Sequence, residues 1–332
     1  MQCPVCGEPL PNAGAVLDGL DARFAPCPDC PPGRLDPRRP PGETPEPCAC
    51  GRRSLDGVMA AVHAVLADEG GLDPGAPLSA VGTPLLYPLF PMRRPPFLPL
   101  GSLVLLTRHA TPASARRLLA EVPEVRGVVL DRRVVPGAGG AAHTLLAGCD
   151  VYAEVRFAPP GPLVLYKQAS TCHLEIPRFG DPKVDATDRA LRRALPDLFV
   201  DACAGVGTLG LVAALRLVPT VVLNDAWGPA AWFAGLNLAA NREALLVDEI
   251  ELLASYADLR RAGLRDDPVP VAVATGDQEI RVYHGSLWRL PPLLPPGGAR
   301  LAVLDPFGKE PDHVARITRR WQDCAGREVF IP

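Results

Sequence analysis

The sequence predicts an α/β protein: an open, largely parallel sheet in its last part, an α/β extension before it, and a small cysteine module at the start. Three observations carry this. At LFVDACAGVGTLGLVAALRL an apolar strand enters a glycine turn and a helix, and a second strand, PTVVLND, follows at once. Upstream, strand, helix and strand alternate from GSLVLLTR to VRGVVLDRR. Cys3, Cys6, Cys27, Cys30, Cys48 and Cys50 crowd the beginning of a chain that has ten cysteines in all.

With 332 residues, 48% hydrophobic, 21% charged and a net charge of -3, the chain has material for a full core. Disorder throughout and a highly basic nucleic-acid coat protein are both excluded by that balance. No apolar run approaches the roughly eighteen residues of a membrane span, and MQCPVCGEPL is no secretory leader. The expected location is the cytoplasm, with no membrane partner. Proline is abundant, at 40 residues, and clustered. PPGRLDPRRPPGETPEP, 31–47, reads as a linker, and PLLYPLFPMRRPPFLP, 84–99, as an extended segment packed on a domain.

Cys3-x2-Cys6 and Cys27-x2-Cys30 have the spacing of a four-cysteine zinc site, two tight turns each presenting two thiolates to a tetrahedral Zn2+. Cys48 and Cys50 are the alternative second pair. A disulfide framework is the weaker reading in a chain with no leader, and an iron–sulfur or redox pair is a third. The module, residues 1–53, reads as a zinc-ribbon-like staple. Cys149, Cys172, Cys203 and Cys324 are expected to be buried small hydrophobes.

Residues 54–183 form the expected α/β substrate-recognition domain. LDGVMAAVHAVLADEG has helical spacing, Thr111 caps a helix over TPASARRLLAEV, and DVYAEVRF and PLVLYKQ form a hairpin around APPG. The pairs Arg93/Arg94, Arg116/Arg117 and Arg132/Arg133 are either a phosphate-binding stripe or solvated faces.

Residues 184–332 carry the cofactor signature. Gly205, Gly207 and Gly210 let the backbone turn and approach a ligand at a helix N-terminus, and Asp225 closes the second strand where an acid can accept two ribose hydroxyls. A third strand, EIRVYHG, ends next to Ser286, which can hydrogen-bond an adenine. LAVLDPFG then delivers Asp305, Pro306, Phe307 and Gly308 to a strand C-terminus.

DACAGVG resembles motif I of the class I S-adenosylmethionine-dependent methyltransferases, and DPFG resembles motif IV of those that act on exocyclic amines. The resemblance implies a Rossmann-like fold. It also implies S-adenosylmethionine held by Asp201, Ala202, Gly205, Gly207, Thr208, Asn224, Asp225 and Ser286. Asp305 and the Pro306 carbonyl would accept the two N–H bonds of the acceptor amine, and Phe307 would stack on its base, beside Gly308. NDAWGPAAWFAGLNLAAN together with DPFG is similar to the tRNA guanine-N2 dimethyltransferases, although Lys309-Glu310-Pro311 replaces their Ser-Pro. The layout from VYAEVRF to VDACAGVGTLG is similar to archaeal-type tRNA guanine-N1 methyltransferases.

The implied function is methylation of an exocyclic nucleobase amine in RNA, tRNA or rRNA guanine N2 foremost. A small-molecule or protein methyltransferase, and a zinc-containing RNA-binding protein without turnover, are the alternatives. REVFIP supplies only a fifth strand, two short of a complete class I sheet. The edge is then covered by the upstream domain, paired in a homodimer, or completed by chain beyond this sequence.

Overall fold

The computed structural model describes residues 1–31, 34–42, 46–296, 300–308, 310–325 and 328–332. The module opens with α1 (Ala13–Leu17) and α2 (Leu20–Arg23). Next come β1 (Arg53–Ser54), α3 (Leu55–Asp68), β2 (Thr83–Leu86), β3 (Phe97–Leu98), β4 (Leu103–Thr107), α4 (Pro112–Glu121), β5 (Val125–Leu130) and β6 (Thr144–Gly148). The order β2-β4-β5-β6 forms a four-stranded sheet, its middle pair parallel across α4. Thr111 caps α4 as expected: its hydroxyl accepts the Ser114 N–H, and Ser114 answers from Oγ to the Thr111 N–H. Arg117 of that helix is held by Asp68, Glu69 and Glu121, so the cationic stripe does not run through it.

The expected hairpin is β7 (Val151–Ala158) and β8 (Gly161–Gln168), paired along its whole length. The remaining elements are α5 (Pro182–Ala194), β9 (Leu198–Asp201), α6 (Thr208–Leu215), β10 (Thr220–Asp225), α7 (Gly228–Ala240), β11 (Val247–Leu252), α8 (Tyr256–Ala262), β12 (Val269–Gly276), β13 (Glu279–His284), β14 (Arg300–Val303), α9 (Pro311–Ala325) and β15 (Val329–Phe330). The sheet runs β11-β12-β13-β10-β9-β14-β15. From β13 to β15 neighbours are parallel and the chain order reverses about β9, a Rossmann-like arrangement. Strands β11 and β12 extend it antiparallel on the β13 side, an addition the motif pattern does not announce. β15 is the far edge, as REVFIP predicts.

Alternation along the central strand separates two cores. Phe199 faces a cluster with α6, α7 and the hairpin, whereas Leu198 and Val200 face Ile317 and Trp321 of α9. Core packing divides the chain differently from the sequence boundaries. Leu10, Ala13, Val16, Leu20 and the hairpin share the core of the last sheet, and residues from Val58 to Val129 form a second core.

Helix α7 is apolar nearly all round because the sheet lies on one side and β8 on the other. Asn237 of the helix and Asn241, its C-cap, sit one turn apart on the β8 side. Asn237 Oδ1 accepts the Tyr166 N–H at 2.7 Å, and its Nδ2 donates to the carbonyls of Tyr166 and Val206. Asn241 pairs with both backbone groups of Val164 in the same way. The two amides thus satisfy the free edge of a two-stranded hairpin, as a third strand would.

Candidate active site

A cavity of about 410 Å³ opens across the carboxyl ends of β9, β10 and β14. Its floor is the turn from Ala202 to Gly207. Gly205 and Gly207 take φ of +54° and +98°, values that favour glycine, and Gly207 precedes the first turn of α6. Gly210 is required for a different reason: a Cβ there would stand 2.7 Å from Leu223 Cγ, so α6 could not approach β10. The close approach lets the turn from Ala202 to Val206 and the start of α6 line the cavity.

Two carboxylates frame this floor. Asp201 is buried; its Oδ2 accepts the Gly210 N–H at 3.0 Å, and its Oδ1 is buried without a hydrogen-bond partner. Burial, with the charges of Asp305 and Asp225 nearby, pushes its pKa up to about 8. Asp225 accepts the N–H groups of Gly205 and Trp227, both at 2.8 Å, which ties the glycine turn to the second strand. Burial raises its pKa, against the pull of those two amides. Each Asp225 oxygen keeps acceptor capacity for a hydroxyl.

Across the cavity stand Asp305, Pro306 and Phe307 from the end of β14. Lys183 Nζ donates to Asp305 Oδ2 at 2.8 Å and to Glu175 Oε1 at 2.6 Å. Burial works against the Lys183 charge, but the two carboxylates outweigh it and raise its pKa. Phe307 is 59% exposed, which excludes ordinary core packing, and its ring meets the His173 ring edge-on at 5.6 Å. Burial lowers the His173 pKa, favouring a neutral imidazole against that ring. Ile176 and Phe179 are exposed on the same segment, and Arg93 lies over Phe179. The remaining wall comes from Trp227, whose Nε1 donates to the Thr171 carbonyl at 2.7 Å, and from residues 136–139 packed beside it.

No protein-family model matches the chain, and no curated protein does. Several solved structures are similar to it. One is Trm1 from Pyrococcus horikoshii in complex with S-adenosyl-L-methionine: 20% identity, TM-score 0.34, over 52% of this chain and 40% of that one. A second P. horikoshii protein, described as a transferase, is 17% identical over 82% of this chain and 78% of its own, TM-score 0.41. The third, M. jannaschii tRNA m1G37 methyltransferase, is 11% identical over 73% and 57%, TM-score 0.36. The chain spans less than two thirds of the first and third of these.

Of the residues expected at the site, the cavity is lined by Asp201, Ala202, Gly205, Thr208, Asp225, Asp305, Pro306 and Phe307. Four others do not line it. Asn224 is fully buried below, its Nδ2 donating to the carbonyls of Ala202 and Gly285, so it braces the strand ends. Ser286 caps the short turn Leu287–Arg289, and its neighbour Leu287 reaches the cavity instead. Gly207 shapes the turn without lining it, and Gly308 faces Glu310 and His313. Lys309 lies outside the described residues, as does part of the 31–47 linker. Lys167, His173, Glu175, Asp181 and Lys183 are among the lining residues that the sequence does not single out.

The cysteine pairing also differs from the expected one. Cys27 and Cys30 meet Cys48 and Cys50, not Cys3 and Cys6, and the four sulfurs lie within 4.8 Å of one another. Cys27 stands 3.6 Å from both Cys30 and Cys48, and Cys30 stands 3.7 Å from Cys50. Sulfurs about 2.3 Å from one tetrahedral zinc are about 3.8 Å apart, so the set fits that ion. The expected first pair, Cys3 and Cys6, lies apart from this set, and the alternative pair, Cys48 and Cys50, joins Cys27 and Cys30 instead, a grouping that spacing along the sequence does not single out.

Proposed function

We propose that the protein is an S-adenosylmethionine-dependent methyltransferase acting on an exocyclic nucleobase amine in RNA, with guanine N2 of tRNA or rRNA the foremost acceptor. One observation carries this reading: a backbone-lined glycine turn flanked by Asp201 and Asp225 shares a single cavity with Asp305 and Phe307. The donor group fits the floor. It carries an ammonium and a sulfonium, which suit the unpartnered Asp201 Oδ1, and two ribose hydroxyls, which suit Asp225. When bound, it supplies an electrophilic methyl group.

The protein's part is placement and charge. Asp305 and the Pro306 carbonyl accept the N–H bonds of the acceptor amine, turning its lone pair toward the methyl group. Exposed Phe307 offers a face on which a base can stack, and a paired base must first leave its helix. Lys183 fixes the Asp305 carboxylate, and Glu175 fixes Lys183. The exposed rim of Ile176, Phe179 and Arg93 favours a large substrate with stacking bases over a small metabolite. The cysteine set 27/30/48/50 holds zinc as a staple for the module. No helix among the described residues is long and apolar enough to cross a membrane, and the reading places the enzyme with cytoplasmic RNA.

The test is methyl transfer from tritiated S-adenosylmethionine to total RNA of a strain lacking this gene, followed by nucleoside identification. Labelled N2-methylguanosine or another amine-methylated base is expected. Absence of label from RNA, in a preparation shown to bind the cofactor, would move the substrate to a small molecule or a protein.

A further inference from the structure

Cys3 and Cys6 are left without the partners expected for them, and the fold supplies another. Their sulfurs and that of Cys149 all lie within 4.8 Å of one another, with Cys3 and Cys149 3.6 Å apart. We propose that these three thiolates form a second site for a soft divalent cation of the zinc class, clamping the start of the chain to the turn between β6 and β7. This proposal is independent of the methyltransferase reading.

Three features of the cluster support it. First, the Cys3 turn is a one-residue-longer counterpart of the Cys48 turn, which belongs to the four-thiol set: both close on a left-handed glycine and tie the first cysteine's N–H to the chain beyond it. Cys3 N–H donates to the Glu8 carbonyl at 2.8 Å and Gly7 N–H to the Cys3 carbonyl at 3.0 Å, with Gly7 at φ +75°. The corresponding bonds in the Cys48 turn are 2.9 Å to Arg52 and 2.8 Å from Gly51, with Gly51 at φ +77°. Second, the third thiol is presented by fixed backbone. Cys149 N–H donates to the Arg126 carbonyl at 2.8 Å, and a Cβ on Gly127 would strike the Cys149 carbonyl at 2.2 Å.

Third, the cluster lies beside a largely buried cation whose carboxylate partner is exposed. Arg126 is 13% exposed, lies 4.6 Å from the Tyr87 ring centroid, and has a buried Nε without a hydrogen-bond partner. Glu8, its carboxylate neighbour, is 3.6 Å away and well exposed. Three thiolates around a divalent cation carry one net negative charge, which matches the guanidinium. Three neutral thiols would leave it poorly balanced. Among the described residues no fourth protein ligand joins the set, so a solvent molecule completes the tetrahedron on the exposed Cys6 side.

The consequence is structural. Residues 1–20 pack on the hairpin through Leu10, Ala13, Val16 and Leu20, and the Tyr166 hydroxyl donates to the Pro11 carbonyl at 2.7 Å. A metal joining residues 3 and 6 to residue 149 closes a long loop and fixes that packing. Binding releases the thiol protons and involves no redox step.

The test is metal content of the full-length protein by mass spectrometry, and its absorption after exchange with Co2+ alone. About two equivalents of zinc per chain are expected. Cys149→Ser and Cys6→Ser should each remove about one, and Cys48→Ser the other. Cobalt at the remaining site in Cys48→Ser should give thiolate charge-transfer bands of lower intensity than in Cys149→Ser, in proportion to three sulfurs against four. Cys6 is exposed, so its variant keeps the measurement valid if Cys149→Ser fails to fold. One equivalent in the wild type, unchanged by Cys6→Ser, would overturn the proposal, and so would a Cys3–Cys149 disulfide in protein isolated without oxidant.

Discussion

Replacing Asp201 with Asn should abolish a pH dependence of cofactor binding that the wild-type cavity builds in. Burial beside two other carboxylates pushes the Asp201 pKa up to about 8, so near pH 6 the group is almost wholly protonated. A cationic ligand favours the ionised form, so binding weakens about fivefold from pH 8 to 7 and about ninefold from pH 7 to 6. Between pH 6 and pH 8 the affinity for S-adenosylmethionine should rise about 50-fold, then level off. The ligand's own amine titrates identically against both proteins, so the difference between wild type and Asp201→Asn isolates this carboxylate. Equilibrium binding by calorimetry in constant ionic strength is the assay, and proton release on binding near pH 7 is its second readout. Stability should move the other way. The folded-state pKa is raised, so the ligand-free protein is most stable at acid pH and loses that contribution as pH rises from the usual carboxylate range to about 8. A flat wild-type profile, or one that Asp201→Asn leaves intact, would refute the reasoning.

If Asp305 holds the acceptor amine as proposed, Asp305→Ala should abolish methyl transfer and leave cofactor affinity within about twofold; Asp225→Ala should weaken cofactor affinity by about tenfold or more in the same titration. Lys183→Met removes the cation that holds Asp305 and Glu175, so methyl transfer should fall by about tenfold or more while cofactor affinity is kept; an unchanged rate would separate Lys183 from the reaction. Asn237→Ala orphans three buried backbone groups and should cost about 3 kcal/mol in urea unfolding, whereas a loss under about 1 kcal/mol would show that water replaces the amide. Chelation of metal from the Cys27, Cys30, Cys48 and Cys50 set should expose residues 24–53 to protease while the cofactor site still binds, since that set does not line the cavity.

The central sheet was readable from sequence because its strands end in residues with two duties. Asp201 and Asp225 mark the ends of β9 and β10, and Gly210 marks a helix that must touch Leu223. Local rules also gave α4 and its cap, and the hairpin with its turn. Long-range pairing was not readable. Cys149 meets Cys3 across 146 residues, and neither the spacing of CPVC nor the burial expected of a lone cysteine announces it. Lys183 lies in the first turn of α5, and no motif singles it out, yet the fold brings it to Asp305. Asn224 and Ser286 occupy the expected strand ends, but side-chain direction alternates along a strand, and proximity in sequence to Asp225 or Leu287 does not decide which one faces the cavity.

Calorimetric titration of the purified protein with S-adenosylmethionine, alongside NAD, decides whether the cavity takes this methyl donor. One saturable site per chain is expected for S-adenosylmethionine, displaced by S-adenosylhomocysteine and indifferent to NAD. Binding of NAD in its place, or of neither ligand, would contradict the assignment.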